Sequence, residues 1–157
     1  LRLDLILLDA FSPGKCPQLW SEEFIQSLAA LLAPGGRLLT YCRAAAVRNS
    51  LRLAGLELRS LLPKPGDVTG WSSGTLALRP NEYAQYSPEI GPGWRGLSEM
   101  EEEHLQTRAG VPYRDPTGTD TAALILKRRQ HEQTFVELPS TSAWQRKWGL
   151  ARQARNS

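Results

Sequence analysis

Asp4-Leu5-Ile6-Leu7-Leu8-Asp9-Ala10-Phe11-Ser12-Pro13-Gly14-Lys15 is the stretch on which the fold turns. Residues 4–8 form a short, mainly apolar run without turn residues, which predicts a strand buried on both faces, as in parallel sheets. Asp9 closes the run, and Ser12, Pro13 and Gly14 break any strand. Open α/β sheets hold their ligands beyond the carboxyl ends of their strands, so Asp9 is the first candidate for chemistry.

Downstream, residues 21–32 read as an amphipathic helix. Ser21 is its N-cap, Glu22 and Glu23 lie in the first turn where the helix dipole favours them, and Phe24, Leu28, Leu31 and Leu32 form one face. Pro34-Gly35-Gly36 ends it, and residues 37–42 read as the next strand. Strand, helix, Pro-Gly-Gly and strand in that order argue for a βαβ unit, with an αβ pair of some unrelated layered protein as the alternative. A second helix over 46–54 stops at Gly55, strands are predicted over 56–62 and 75–78, and a loop rather than a helix joins them. They therefore form an antiparallel pair at the end of an otherwise parallel sheet.

After Pro80 the character changes. Pro88, Gly91, Pro92, Gly93 and Gly96 mark a linker or covering loop. Helices are predicted over 98–108, where Ser98 and Glu101 have capping-box spacing, over 120–133, and over 140–152. The expected organisation is thus 1–80 as the main domain, 81–97 as a linker and 98–157 as a helical, basic extension.

At 157 residues there is room for one domain, or one domain with a tail. The longest apolar runs, 5–8 and 28–33, are far shorter than the ~20 residues a bilayer span needs, so no membrane partner is expected. Two cysteines are too few for a disulfide framework and suit a reducing cytoplasm. Cys16 and Cys42 lack zinc spacing, and His104 and His131 stand alone, so no metal is assigned. Ser12 and Ser21 lie in no nucleophile-elbow sequence. A chain that starts inside a core strand, with Met100 as its one methionine, is expected to be a fragment.

Residues 8–15, Leu-Asp-Ala-Phe-Ser-Pro-Gly-Lys, with Pro17 and Trp20, resemble the MnmC-like family of S-adenosyl-L-methionine-dependent methyltransferases, which methylate the aminomethyl group on a wobble uridine of tRNA. Pro34-Gly35-Gly36 with Thr40-Tyr41, and Ala44 to Arg48 with Leu51 and Gly55, carry weaker matches. The resemblance covers about the first half of the chain. It implies an α/β fold, the carboxyl-terminal half of a Rossmann-like class I methyltransferase sheet, with a helical, partly irregular extension. It also implies S-adenosyl-L-methionine as cofactor and tRNA as partner. A flavin-dependent oxidase, fused in some relatives, would prepare the amine, although no flavin motif is present. Two departures stand out. No glycine-rich cofactor loop lies in these residues, so the fragment alone is expected to be inactive, and Arg43 and Ala45 replace the family's usual Ser and Gly.

Under that resemblance Asp9 orients or deprotonates the amine, and Asp9 with Ala10 borders the cofactor. Its alternative is a strand-end Asp that caps a turn. Phe11 and Pro13 shape the wall around the target group, with core packing the default for Phe11. Lys15 meets a phosphate or is a loop lysine, and Tyr41 lines the pocket or fills the core. Arg43 and Arg48 suit phosphate by their forked donors, yet arginines near helix starts are common. Trp20 reads as structural, holding the loop down. Trp144-Gln145-Arg146-Lys147-Trp148 either contacts RNA or docks its tryptophans on the main domain, the second being preferred. The rival functions are a truncated, non-catalytic half-domain or tRNA-binding remnant, and a small-molecule methyltransferase.

Overall fold

The computed structural model describes residues 1–67, 70–82 and 90–150. Six strands, β1 (Leu3–Leu7), β2 (Leu32–Thr40), β3 (Glu57–Leu61), β4 (Gly74–Leu78), β5 (Ile90–Gly91) and β6 (Trp94–Arg95), form one sheet in the order β1-β2-β4-β3-β6-β5. β1 pairs in parallel with β2, and β4 is inserted antiparallel between β2 and β3. The antiparallel pair expected of the third and fourth strands is therefore present. Its second member sits inside the sheet, with β3 beyond it. Two short strands, β5 and β6, fall within the 81–97 stretch and extend the sheet past β3. Pro92 and Gly93 form the turn between them, and Pro88 lies outside the described residues.

Five α-helices lie among the described residues: α1 (Glu22–Leu31), α2 (Ala45–Leu53), α3 (Glu99–Leu105), α4 (Ala122–Phe135) and α5 (Thr141–Lys147). Ser21 caps α1 by accepting the Phe24 N–H at 3.2 Å. The buried face of α1 is rotated from the expected one. Ile25, Ala29 and the following Leu32 are buried, Phe24 and Leu28 flank them, and Leu31 points outward. Small Ala29 is what moves the face: it occupies a core position that a count of large apolar residues overlooks. Pro34-Gly35-Gly36 does not separate helix from strand either. α1 ends at Leu31 and β2 begins at Leu32, with the three residues taken up in a shift of register between the Leu3–Leu32 and Leu5–Arg37 pairs. Gly35 has φ 77°, which suits a residue without Cβ, and its N–H is bonded to the Arg79 carbonyl.

One core joins residues from Leu8 to Ile125. Leu8, Trp20, Ile25, Leu38, Val47, Leu51 and Leu58 share it with Leu105, Tyr113 and Ile125 from the carboxyl-terminal half. Full burial of a side chain such as Ile125 contributes about 1.5–3 kcal/mol, so the later helices are integral to stability. Trp144 is buried, with its indole N–H on the Met100 carbonyl at 2.9 Å and its ring edge to face with Trp71 at 6.3 Å, whereas Trp148 donates to Glu103 of α3 and not to the main domain. The strand expected to be covered on both faces is not. β1 is the sheet's edge, and Leu5 and Leu7 on its outer face are 53% and 70% exposed.

Candidate functional site

Beyond the carboxyl ends of β1 and β2 lies an open cleft of about 630 Å³ lined by Asp9, Ala10, Phe11, Ser12, Lys15, Leu19 and Tyr41. Its formation follows from the local sequence. The Leu8 N–H makes the last rung to the Leu39 carbonyl, after which Ser12 starts a tight turn whose carbonyl accepts the Lys15 and Cys16 N–H groups. Pro17 then opens a 3-10 turn, Pro17–Trp20, as a residue with fixed φ and no N–H suits. Trp20, fully buried at its end, donates its indole N–H to the Phe11 carbonyl at 2.6 Å. From the end of β2, Tyr41 donates its hydroxyl to the Ala10 carbonyl at 2.7 Å. Trp20 and Tyr41 meet edge to face, with ring centroids 6.1 Å apart.

The cleft so built is lined by a carboxylate and by aromatic rings. Asp9 is exposed on it, and its carboxylate takes no hydrogen bond from a described residue. Phe11 is 77% exposed, so it is a wall of the cleft and not a core residue. Tyr41 is half-exposed, and its ring likewise borders the cleft. Partial burial, and then the charges of Cys42 and Asp9, push the Tyr41 hydroxyl's pKa up, so it stays protonated and donates. Lys15 stands exposed at the mouth. Pro13 is half-buried and does not line the cleft, and Arg43 turns away from it. Arg43 donates to the Ser72 carbonyl at 3.1 Å and lies over the Trp71 ring, 4.5 Å from its centroid. Among the described residues no three of His, Cys, Asp and Glu come together to hold a metal ion.

What sequence reasoning missed is the role of Arg48, read there as a phosphate contact or an ordinary helix-start arginine. It is wholly buried. Its guanidinium donates to Thr75 Oγ1 at 2.9 Å, Glu101 Oε2 at 2.7 Å, Ser72 Oγ at 3.2 Å and the Gly74 carbonyl at 3.0 Å. Glu101, also wholly buried, accepts in addition from Arg95 at 2.7 Å and closes the capping box of α3 with Ser98. Burial alone would raise the Glu101 pKa, but the neighbouring Ser60 hydroxyl and the Arg48 guanidinium outweigh it and hold the carboxyl at about 2. Burial also works against the Arg48 charge, yet an arginine does not lose its proton in a protein. Beside this pair His104 stacks on Trp144, centroids 4.0 Å apart, and burial followed by the charges of Arg48 and Arg43 lowers its pKa to about 4. One signal for Arg48 was in the sequence: Ala44, Val47, Arg48 and Leu51 share a helical face, and its other members are apolar.

The chain is similar to known proteins in sequence and in fold. The model of a family described as S-adenosyl-L-methionine-dependent methyltransferase matches residues 1–65. The tRNA 5-methylaminomethyl-2-thiouridine biosynthesis bifunctional protein MnmC of Pseudomonas savastanoi pv. phaseolicola is 33% identical over 164 aligned positions, covering 87% of this chain and 24% of the relative. Its namesake in Chromobacterium violaceum is 34% identical over 99 positions, covering 62% and 15%. The chain thus spans about a quarter or less of the length of these relatives. In fold it is similar to the crystal structure of MnmC2 from Aquifex aeolicus, with a TM-score of 0.69 and 24% identity over 87% of this chain and 40% of that one.

Proposed function

The chain belongs to the MnmC-like family of S-adenosyl-L-methionine-dependent methyltransferases, and on that premise we propose that it methylates the aminomethyl group of a modified wobble uridine in tRNA, as part of a longer polypeptide. The observation that carries the reading is the unpartnered Asp9 carboxylate in a cleft walled by Phe11 and Tyr41. An amine reacts through its lone pair, so its ammonium form must first give up a proton. Asp9 takes that proton or holds the amine in line, and positioning carries much of the rate. The exposed face of Phe11 suits stacking on a base, and Lys15 suits a phosphate. The cleft also fits a sulfonium cofactor, because a carboxylate and electron-rich rings both favour a cation. Asp9 and Ala10 border that group, which supplies the methyl when bound.

The uncovered face of β1 supports the longer polypeptide: Leu5 and Leu7 are what a neighbouring layer would bury. On this reading the cofactor's glycine-rich loop comes from the rest of the protein, residues 1–157 alone do not turn over, and the work is done in the cytoplasm. A flavin-dependent oxidase acts earlier to free the amine. The domain limits 1–80, 81–97 and 98–157 belong to the same proposal.

The test is methyl transfer by the full polypeptide to tRNA with and without the aminomethyl group. Asp9→Asn is expected to lower kcat by about 100-fold or more while leaving the unfolding midpoint unchanged, since the side chain is exposed. Transfer to free amines but not to tRNA would point to the small-molecule reading. No transfer at all by the intact protein would leave a binding remnant.

A further inference from the structure

We propose that Tyr41 is a positioning residue for Asp9, acting through the Ala10 carbonyl and braced by Trp20. This rests on Asp9 being the group that meets the amine. Three backbone groups on either side of Asp9 are pinned. The Leu8 N–H is tied to Leu39, the Ala10 carbonyl accepts the Tyr41 hydroxyl, and the Phe11 carbonyl accepts the Trp20 indole N–H. Each pin comes from a different element: the β2 ladder, the residue just past β2, and the 3-10 turn.

Asp9 sits between the first pin and the second, with its side chain in the cleft. The edge-to-face contact of Trp20 with Tyr41 makes the two side-chain pins one unit, and Trp20 is itself locked by full burial. A phenol has one proton to donate, and that of Tyr41 is committed to a backbone carbonyl. Its hydroxyl is therefore turned toward the loop and not toward a substrate, which assigns Tyr41 a role different from the substrate contact that its place in the sequence suggests. Holding a reacting group within a fraction of an ångström is where such a pin acts on rate.

Tyr41→Phe removes the hydroxyl and keeps the ring. In the full polypeptide this variant is expected to lower kcat by roughly tenfold while KM for tRNA stays within about twofold. In the 157-residue chain it is expected to speed amide hydrogen exchange at Lys15 and Cys16, with exchange at Leu39 and the urea midpoint unchanged. Wild-type kcat in Tyr41→Phe alongside a crippled Asp9→Asn overturns the proposal. So does a fall in kcat accompanied by an equal rise in KM or a lowered urea midpoint, which marks general loosening. If Asp9→Asn itself is fully active, or the intact protein transfers no methyl group, it is the functional reading of Asp9 that fails. The exchange measurement then decides the pinning by itself, and unchanged exchange at Lys15 and Cys16 overturns it.

Discussion

At the scale of single residues two settings of charge stand at opposite extremes. Asp9 is solvated and uncommitted, whereas Glu101 and Arg48 are sealed in and committed to each other. Breaking such a buried pair from one side leaves an uncompensated charge. Glu101→Met, which leaves the Arg48 guanidinium without a carboxylate, is accordingly expected to cost about 3–5 kcal/mol in urea unfolding, and the Arg48→Met/Glu101→Met double variant to recover most of that loss, whereas Arg48→Met alone should cost less because Arg95 still pairs with Glu101. The same cluster sets the response to acid. His104 titrates near 6.5 when unfolded and about 4 when folded, so between those values the unfolded chain carries the extra proton and stability falls as pH drops. Glu101 does the same between its ordinary 4.5 and about 2. The urea midpoint should therefore decline in two successive steps below pH 6.5. His104→Phe, which keeps a ring against Trp144, should flatten the upper step and leave the lower.

At the scale of elements, helix ends are strong and local signals. Ser98 caps α3 with the full capping box that its spacing with Glu101 announces, and Ser98→Ala should cost about 1 kcal/mol by the same urea measurement. The start of β4 depends on Gly74, whose φ is 151° and where a Cβ would stand 2.3 Å from the Thr40 carbonyl oxygen. Gly74→Ala should therefore lower stability by more than about 2 kcal/mol, because the atom it meets is backbone and has nowhere to go. The caps of α1 and α3, the β1-α1-β2 order and the closeness of Asp9, Phe11 and Lys15 could be read from the chain because each rests on neighbours in sequence, and Tyr41 joins that group, 31 residues from Ala10, because β1 and β2 pair in parallel. What could not be read depends on distant partners. The sequence near Arg48 does not contain Glu101, 53 residues away, and the run around Leu5 and Leu7 does not say that β1 lies at an edge. The face of α1 was misplaced for a smaller reason, the weight that Ala29 carries once α2 packs beside it.

At the scale of the whole molecule the uncovered side of β1 should govern behaviour in solution. The 157-residue chain on its own should self-associate through Leu5 and Leu7, and Leu5→Lys/Leu7→Lys should reduce that association in analytical ultracentrifugation with little change in the unfolding midpoint. The opposite end of the sequence is tied in from within, since α3 delivers Glu101 to Arg48 and α4 delivers Ile125 to the common core. A shortened protein cut after Pro80, the obvious way to ask what an appendage is for, would leave the Arg48 guanidinium without its carboxylate and uncover the core where Leu105, Tyr113 and Ile125 close it. Such a truncation would come out insoluble whatever the missing helices contribute to RNA. Their purpose has to be sought by changing their outward-facing side chains one at a time.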